Sequence, residues 1–332
     1  MGVPVSELHK FVFEGLPVRG MIVRLTDAWQ EVLRRRAANR ATGAYPLPVQ
    51  TMLGEMLAAA TLMQSNIKFD GALVLQIFGD GPVPVAVAEV GPDLGLRAAA
   101  TIKGPVSPDG DLGSLVNLNG HGRCAITLDP RTRQPGQQAY QGVVPLTDAK
   151  HVTFTRVSEM LAHYMLQSEQ LETCLVLAAD ANLAAGLLIQ RLPGQGMGNL
   201  SGSMVERADD GEEVEDAYHR IALLASSLKQ EELLTLDVDT ILRRLFWQES
   251  LQRFEPLVGA QGPHFLCSCS RERVTRMILG LGQAEAAAIL AERGDIEVTC
   301  EFCAAQYRFD AVDVAQVFTD ASQLAPGSSG PH

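Results

Sequence analysis

The stretch Phe265-Leu-Cys-Ser-Cys-Ser-Arg-Glu-Arg273 and its downstream counterpart Gly294-Asp-Ile-Glu-Val-Thr-Cys-Glu-Phe-Cys303 decide how this chain is read. A single residue separates Cys267 from Cys269, two separate Cys300 from Cys303, and thirty lie between the pairs. Zinc takes four soft or borderline ligands in a tetrahedron, with Zn–S near 2.3 Å. A Cys-x-x-Cys on a tight turn aims two sulfurs at one point, and a Cys-x-Cys just ahead of a helix supplies the other two. Strand signals at 296–299 and 306–309 put Cys300 and Cys303 on the turn between them. Ser270 is placed to cap a helix carrying Val274, Met277 and Ile278 and ending near Gly280. A second helix at 283–293 should stop at Gly294, and a short last helix is expected at 312–318. A unit of roughly 60 residues has little core and commonly depends on a metal or a cross-link. The expected ligands of one Zn2+ are therefore Cys267, Cys269, Cys300 and Cys303. His264 is near enough to substitute, but four thiolates leave it behind the ligands or at the surface. The Cys-x-Cys spacing is shorter than structural zinc sites mostly use, and thiolates are the oxidisable form of cysteine. A plain structural knuckle and a redox switch both satisfy the spacing.

Outward from this unit, two amphipathic helices precede it. One carries Ile221, Leu224, Ala225 and Leu228. The other carries Val238, Ile241, Leu242 and Leu245, with Phe246 and Trp247 beside them. Helices this short draw most of their stability from docking the apolar stripe. Between 201 and 256 there are 13 acidic and 6 basic side chains, a net of −7. The pattern fits either an ordinary packed hairpin or a segment poised to detach. Before it, residues 193–215 are Gly, Ser and acidic residues, expected as a flexible linker. Further upstream, 18–190 reads as one unit. Thr26 can cap a helix through Trp29, Val32 and Leu33, and 47–66 has helical spacing. Strands are expected at 73–78, 83–90, 96–102, 123–128 and 138–144, then a helix at 156–167, and a closing strand pair at 174–179 and 184–192. Strands in runs, without regular βαβ alternation, favour an α+β fold built on a mixed sheet with packed helices. Cys124 and Cys174 fall in these strands and read as small buried hydrophobes.

The chain has 332 residues, 46% hydrophobic and 20% charged, enough for two or three domains. We divide it into an α+β domain at 1–192, a flexible and helical linker at 193–260, a zinc-binding domain at 261–320 and a disordered tail at 321–332. The net charge of −12 disfavours nucleic acid. Arg271, Arg273 and Arg276 do give the helix after Cys269 a basic face, for which solvation is the plainer explanation. No run approaches the roughly 20 apolar residues that span a bilayer, and residues 1–13, with Glu7, His9 and Lys10, lack a targeting pattern. These features point to the cytoplasm, where cysteines do not build a disulfide framework. The sequence has no phosphate loop of the Walker type, no His-Glu-x-x-His and no Gly-x-Ser-x-Gly. A catalytic zinc keeps an open position, so no enzyme is expected.

Taken together, the cysteine motifs with their flanks and Tyr307-Arg-Phe309 resemble the redox-regulated 33 kDa heat-shock chaperones. The resemblance extends upstream through Arg19-Gly20, Tyr45-Pro-Leu-Pro48, Leu53-Gly-Glu55, Lys68-Phe-Asp-Gly71, Gly79-Asp-Gly-Pro82, Tyr140-Gln-Gly-Val143, Ser168-Glu-Gln170 and Glu231-Glu-Leu-Leu-Thr-Leu236. It implies a cytoplasmic stress-response holdase, inactive while reduced with one Zn2+ per chain. Oxidation is implied to pair Cys267 with Cys269 and Cys300 with Cys303, to empty the metal site and to unfold the linker. The active form is implied to be a homodimer that binds unfolded clients. Two features depart from the family pattern, the long stretch at 194–216 and the tail at 325–332.

Overall fold

Strands β1 (Glu7–Phe13) and β2 (Val18–Leu25) pair as an antiparallel hairpin, and Gly15 sits at φ +76° in the turn that joins them. The hairpin, which the sequence reading did not anticipate, seeds the first sheet of the computed structural model. The structure describes residues 4–39, 41–132, 139–192 and 211–324. These fall into two compact units, Met1–Leu266 and Cys267–His332.

In the first unit, α1 (Asp27–Ala38) follows β2, and α2 (Leu47–Gln64) leads to β3 (Gly71–Phe78), β4 (Val85–Val90) and β5 (Gly95–Thr101). Then come α3 (Leu112–Val116), β6 (Arg123–Pro130), β7 (Tyr140–Pro145), α4 (Val157–Glu169), β8 (Thr173–Ala179) and β9 (Ala184–Arg191). Three helices follow, α5 (Gly211–Ser226), α6 (Gln230–Thr235) and α7 (Val238–Phe246). The unit ends in short strands β10 (Leu251–Arg253), β11 (Leu257–Val258) and β12 (His264–Phe265).

The fold is α+β, but with two six-stranded sheets where one mixed sheet was expected. The first runs β10-β1-β2-β9-β8, with β11 also on β1, and the second runs β12-β5-β4-β3-β6-β7. All neighbours are antiparallel except β12 with β5. The three late strands bring 251–265 back onto β1 and β5, far away in sequence. Each is only two or three residues long and carries too little periodicity to be read locally.

Helix α2 packs on strands of both sheets and is buried nearly all round. A Cβ on Gly54 would meet the Ala179 methyl at 2.4 Å, so glycine is what allows this close approach. Thr26 occupies the N-cap position of α1 without capping it. Its hydroxyl bonds the Pro4 carbonyl, and the Ser6 hydroxyl accepts the Thr26 and Ala28 N–H groups instead.

One face of the first sheet, with Met21, Val23 and Leu188, joins the α2 core. The opposite face carries Phe11, Phe13, Ile22, Leu187 and Ile189, and is covered by α5, α6 and α7. The two expected helices are thus three, and they are docked. In the first stripe, Tyr218 is buried, while Leu224 is 36% exposed. Trp247 faces solvent at 72%. The stretch expected to be flexible, 193–215, lies outside the described residues up to 210, and α5 begins at Gly211.

In the second unit, Ser270 caps α8 (Arg271–Leu281), accepting the Arg273 N–H. Helix α9 (Gln283–Arg293) ends at Gly294, left-handed at φ +83°. Strands β13 (Ile296–Thr299) and β14 (Gln306–Phe309) pair as expected. Helix α10 (Ala311–Leu324) is longer than read from sequence and takes in the start of the expected tail, whose remainder, 325–332, lies outside the described residues. No single helix among the described residues is long and apolar enough to cross a membrane.

Candidate metal centre

Two local structures deliver the four thiols. The chain entering α8 is held by the Ser270 cap, and the Arg273 guanidinium bonds the Ser268 hydroxyl at 2.7 Å, which orients Cys267-Ser-Cys269. On the other side, the β13–β14 turn folds tightly around Cys300 and Cys303. The Ala304 N–H bonds the Cys300 carbonyl at 2.9 Å, with Ala304 left-handed at φ +59°. The Cys300 N–H bonds the Ala305 carbonyl, also at 2.9 Å.

The four Sγ atoms lie within 4.8 Å of one another. Cys267 and Cys300 are 3.7 Å apart and Cys269 and Cys303 are 3.3 Å apart. Tetrahedral ligands at 2.3 Å from a zinc ion stand roughly 3.8 Å apart, so the donor set fits such a metal in number, type and spacing. Backbone N–H groups aim at the sulfurs: that of Cys269 at Cys267, those of Cys303 and Phe302 at Cys300, and that of Ala305 at Cys303. These bonds favour thiolate over thiol. The Tyr307 hydroxyl donates to Cys269 Sγ at 3.1 Å, which pushes the tyrosine up to about 12. Thiols packed this closely share their protons unevenly. The contact between Cys267 and Cys300 favours one thiolate and one thiol, holding the first below and the second above the usual thiol range.

All four expected ligands therefore come together, and they are the only His, Cys, Asp or Glu cluster of this kind among the described residues. His264 belongs to the first unit, where its Nδ1 meets the Gly262 carbonyl at 3.0 Å. Arg271 bonds the Arg308 carbonyl, pairs with Asp313 at 2.9 Å and lies over the Phe309 ring, so much of the expected basic face is spent inside the unit. Cys124 is fully buried and its thiol is pushed up to about 12 by burial. Cys174, half-buried under α5 with its Sγ 3.6 Å from the Ala222 carbonyl, is pushed up to about 11 by burial. Neither thiol is poised to react. Sequence reasoning assigned no role to Tyr307. The signal was there in its position on β14, four residues past Cys303.

The comparisons with known proteins agree across the chain. Residues 6–310 match a family model described as Hsp33 protein. The 33 kDa chaperonin of Chromobacterium violaceum is 42% identical over 316 residues, covering 94% of each chain. That of Methylobacillus flagellatus is 40% identical over 328 residues, 98% of this chain and 99% of its own. A crystal structure of the 33 kDa chaperonin (heat shock protein 33 homolog) of Thermotoga maritima is similar with a TM-score of 0.70 at 19% identity, covering 96% of this chain and 99% of that one. At that identity the likeness speaks for the fold.

Proposed function

We propose that this chain, which belongs to the Hsp33 family of chaperones and is not an enzyme, is a redox-regulated holdase of the cytoplasm that binds unfolding proteins under oxidative stress. The observation that carries the reading is the four-thiol cluster, with all Sγ atoms within 4.8 Å, in a unit with a very small core. A zinc ion there would tie the lead-in of α8 to the β13–β14 turn and hold four cysteines as thiolates, contributing on the order of 10–16 kcal/mol to folding.

Oxidation pairs Cys267 with Cys269 and Cys300 with Cys303. For each disulfide, two thiolates give up two electrons to one peroxide molecule, which takes two protons and leaves as two waters. Nearest sulfurs in the cluster come from different motifs, yet all four are close enough that pairing within each motif needs only side-chain rotation and small backbone movements. Disulfide sulfurs are no longer metal ligands, so the second unit loses what its core cannot replace.

The charged helices α5–α7 cover an apolar sheet face. Their release uncovers that face and their own stripes, and exposed apolar patches mark protein-binding sites. In functional terms we retain a chaperone domain at 1–192, a linker at 193–260, a zinc switch at 261–320 and a tail at 321–332. The active form is a homodimer.

Light scattering from a thermally unfolding client tests the reading, with reduced zinc-loaded protein and with protein treated with peroxide at elevated temperature. Suppression only after oxidation is expected, together with loss of four free thiols and release of one zinc per chain. Equal suppression in both states leaves the cluster as a structural knuckle.

A further inference from the structure

Both sheets of the first unit, with α2 and α4, line a small cleft of about 130 Å3. Its walls are mostly apolar, with Met63, Leu73, Leu128, Met165 and Leu188 among them. Arg19 of β2 also lines it. Its Nε donates to Gln190 Oε1 at 3.1 Å, and a terminal nitrogen donates to the same oxygen. Gln190 is itself fully buried and spends its amide on the Thr173 hydroxyl at 2.9 Å. Among the described residues, Arg19 has no ion pair. The neighbouring cation, Lys10, bonds the Ser65 carbonyl. Burial disfavours both charges, and Arg19 further disfavours Lys10. Glu169, the carboxylate in the cleft, accepts the Tyr140 and Tyr164 hydroxyls at 3.0 and 2.6 Å and makes no ion pair with Arg19. A half-buried guanidinium held in place by a neutral amide, at the side of an apolar cleft, is a charge without a counter-charge.

We propose that this cleft binds a small amphipathic anion, an acyl chain with a carboxylate head, with Arg19 receiving the head and the apolar walls receiving the chain. A guanidinium with free N–H groups grips a carboxylate through charge-assisted, often paired hydrogen bonds. The chain excludes water from a surface that otherwise stays wet. The cleft is built from residues of the first unit and the four clustered thiols belong to the second, so the site does not depend on the redox reading.

Calorimetric titration of the reduced full-length protein with octanoate and with octanol tests the proposal. One octanoate per chain is expected, with octanol at least ten-fold weaker. Arg19→Gln should lose octanoate affinity by ten-fold or more, and Met165→Trp, which fills the cleft from α4, should abolish binding. Absence of saturable octanoate binding, equal affinity for octanol, or unchanged affinity in Arg19→Gln would overturn it. Should Arg19→Gln fail to fold, Met165→Trp carries the test with the cation in place, and unchanged affinity there overturns it equally.

Discussion

Glu55 shows how much one side chain can couple in this fold. It lies on α2 at 6% exposure and accepts a hydrogen bond at 3.3 Å from Gln230 Nε2 at the start of α6, while Gln230 also donates to the Leu177 carbonyl at 2.9 Å. Burial pushes the Glu55 carboxyl up to about 7, against a downward pull from Arg156, with Glu159 adding an upward push. A carboxyl whose native value is raised supports the fold while protonated. That contribution is complete below its free value near 4.5 and is lost as pH rises through about 7. At about 1.4 kcal/mol per unit, the loss reaches at most about 3.5 kcal/mol. Urea unfolding of the reduced protein should therefore show stability falling between pH 5 and pH 8. In Glu55→Gln the profile should be flat over that window and the protein more stable than wild type at pH 8, and an unchanged slope refutes the assignment. Spacing alone picked out the four cysteines because metal ligation is a local pattern. It could not pick out Glu55, which looks like any helix carboxylate until α6 covers it.

Among the elements, α5 to α7 depend most on their surroundings. Helices of six and nine residues do not persist alone in water. Here Ile241, Leu242, Leu245 and Phe246 are buried on the first sheet, and Phe246 meets the Phe13 ring edge-on at 5.1 Å. The Arg24 guanidinium closes the end of α6, donating to the Leu233 and Leu236 carbonyls at 2.8 and 2.7 Å, where the helix dipole favours a cation. Phe246→Ala should cost about 3–5 kcal/mol of docking. Amide exchange in α5–α7 should rise in the reduced protein while the sheets stay protected, and client aggregation should be suppressed without oxidant. Opened helices without suppression would separate the covered face from client binding. The apolar spacing announced α7 plainly, but α6 was missed because two turns with a single fully buried residue, Leu233, carry almost no periodic signal.

At the scale of the whole molecule, the two units are held together by different means. The first has an extended core between two sheets. Among the described residues, the core cluster of the second is just Val274, Ile278, Ala286, Ile296, Phe309 and Val314, too little to offset the ordering of its chain unaided. Chelation of the reduced protein at neutral pH should therefore dissolve the second unit alone. Hydrogen exchange should become fast in α8, α9, β13 and β14, while β2, β3 and β9 remain protected. A second unit that kept its protection without metal would show that the thiols are not its main support.

The sequence by itself determined the four-cysteine cluster, the α+β class and most helices and strands of the second unit. Ligand spacing, the Ser270 cap, the Gly294 stop and apolar periodicity all act over a few residues. Tertiary structure alone decided that the strands form two sheets, that 251–265 returns to β1 and β5, that α5–α7 cover the first sheet, and that Arg19 lines a cleft without an ion pair among the described residues. Each of these depends on contacts between residues tens to hundreds of positions apart. Register, burial and counter-charge belong to those pairings and leave no local trace in the chain.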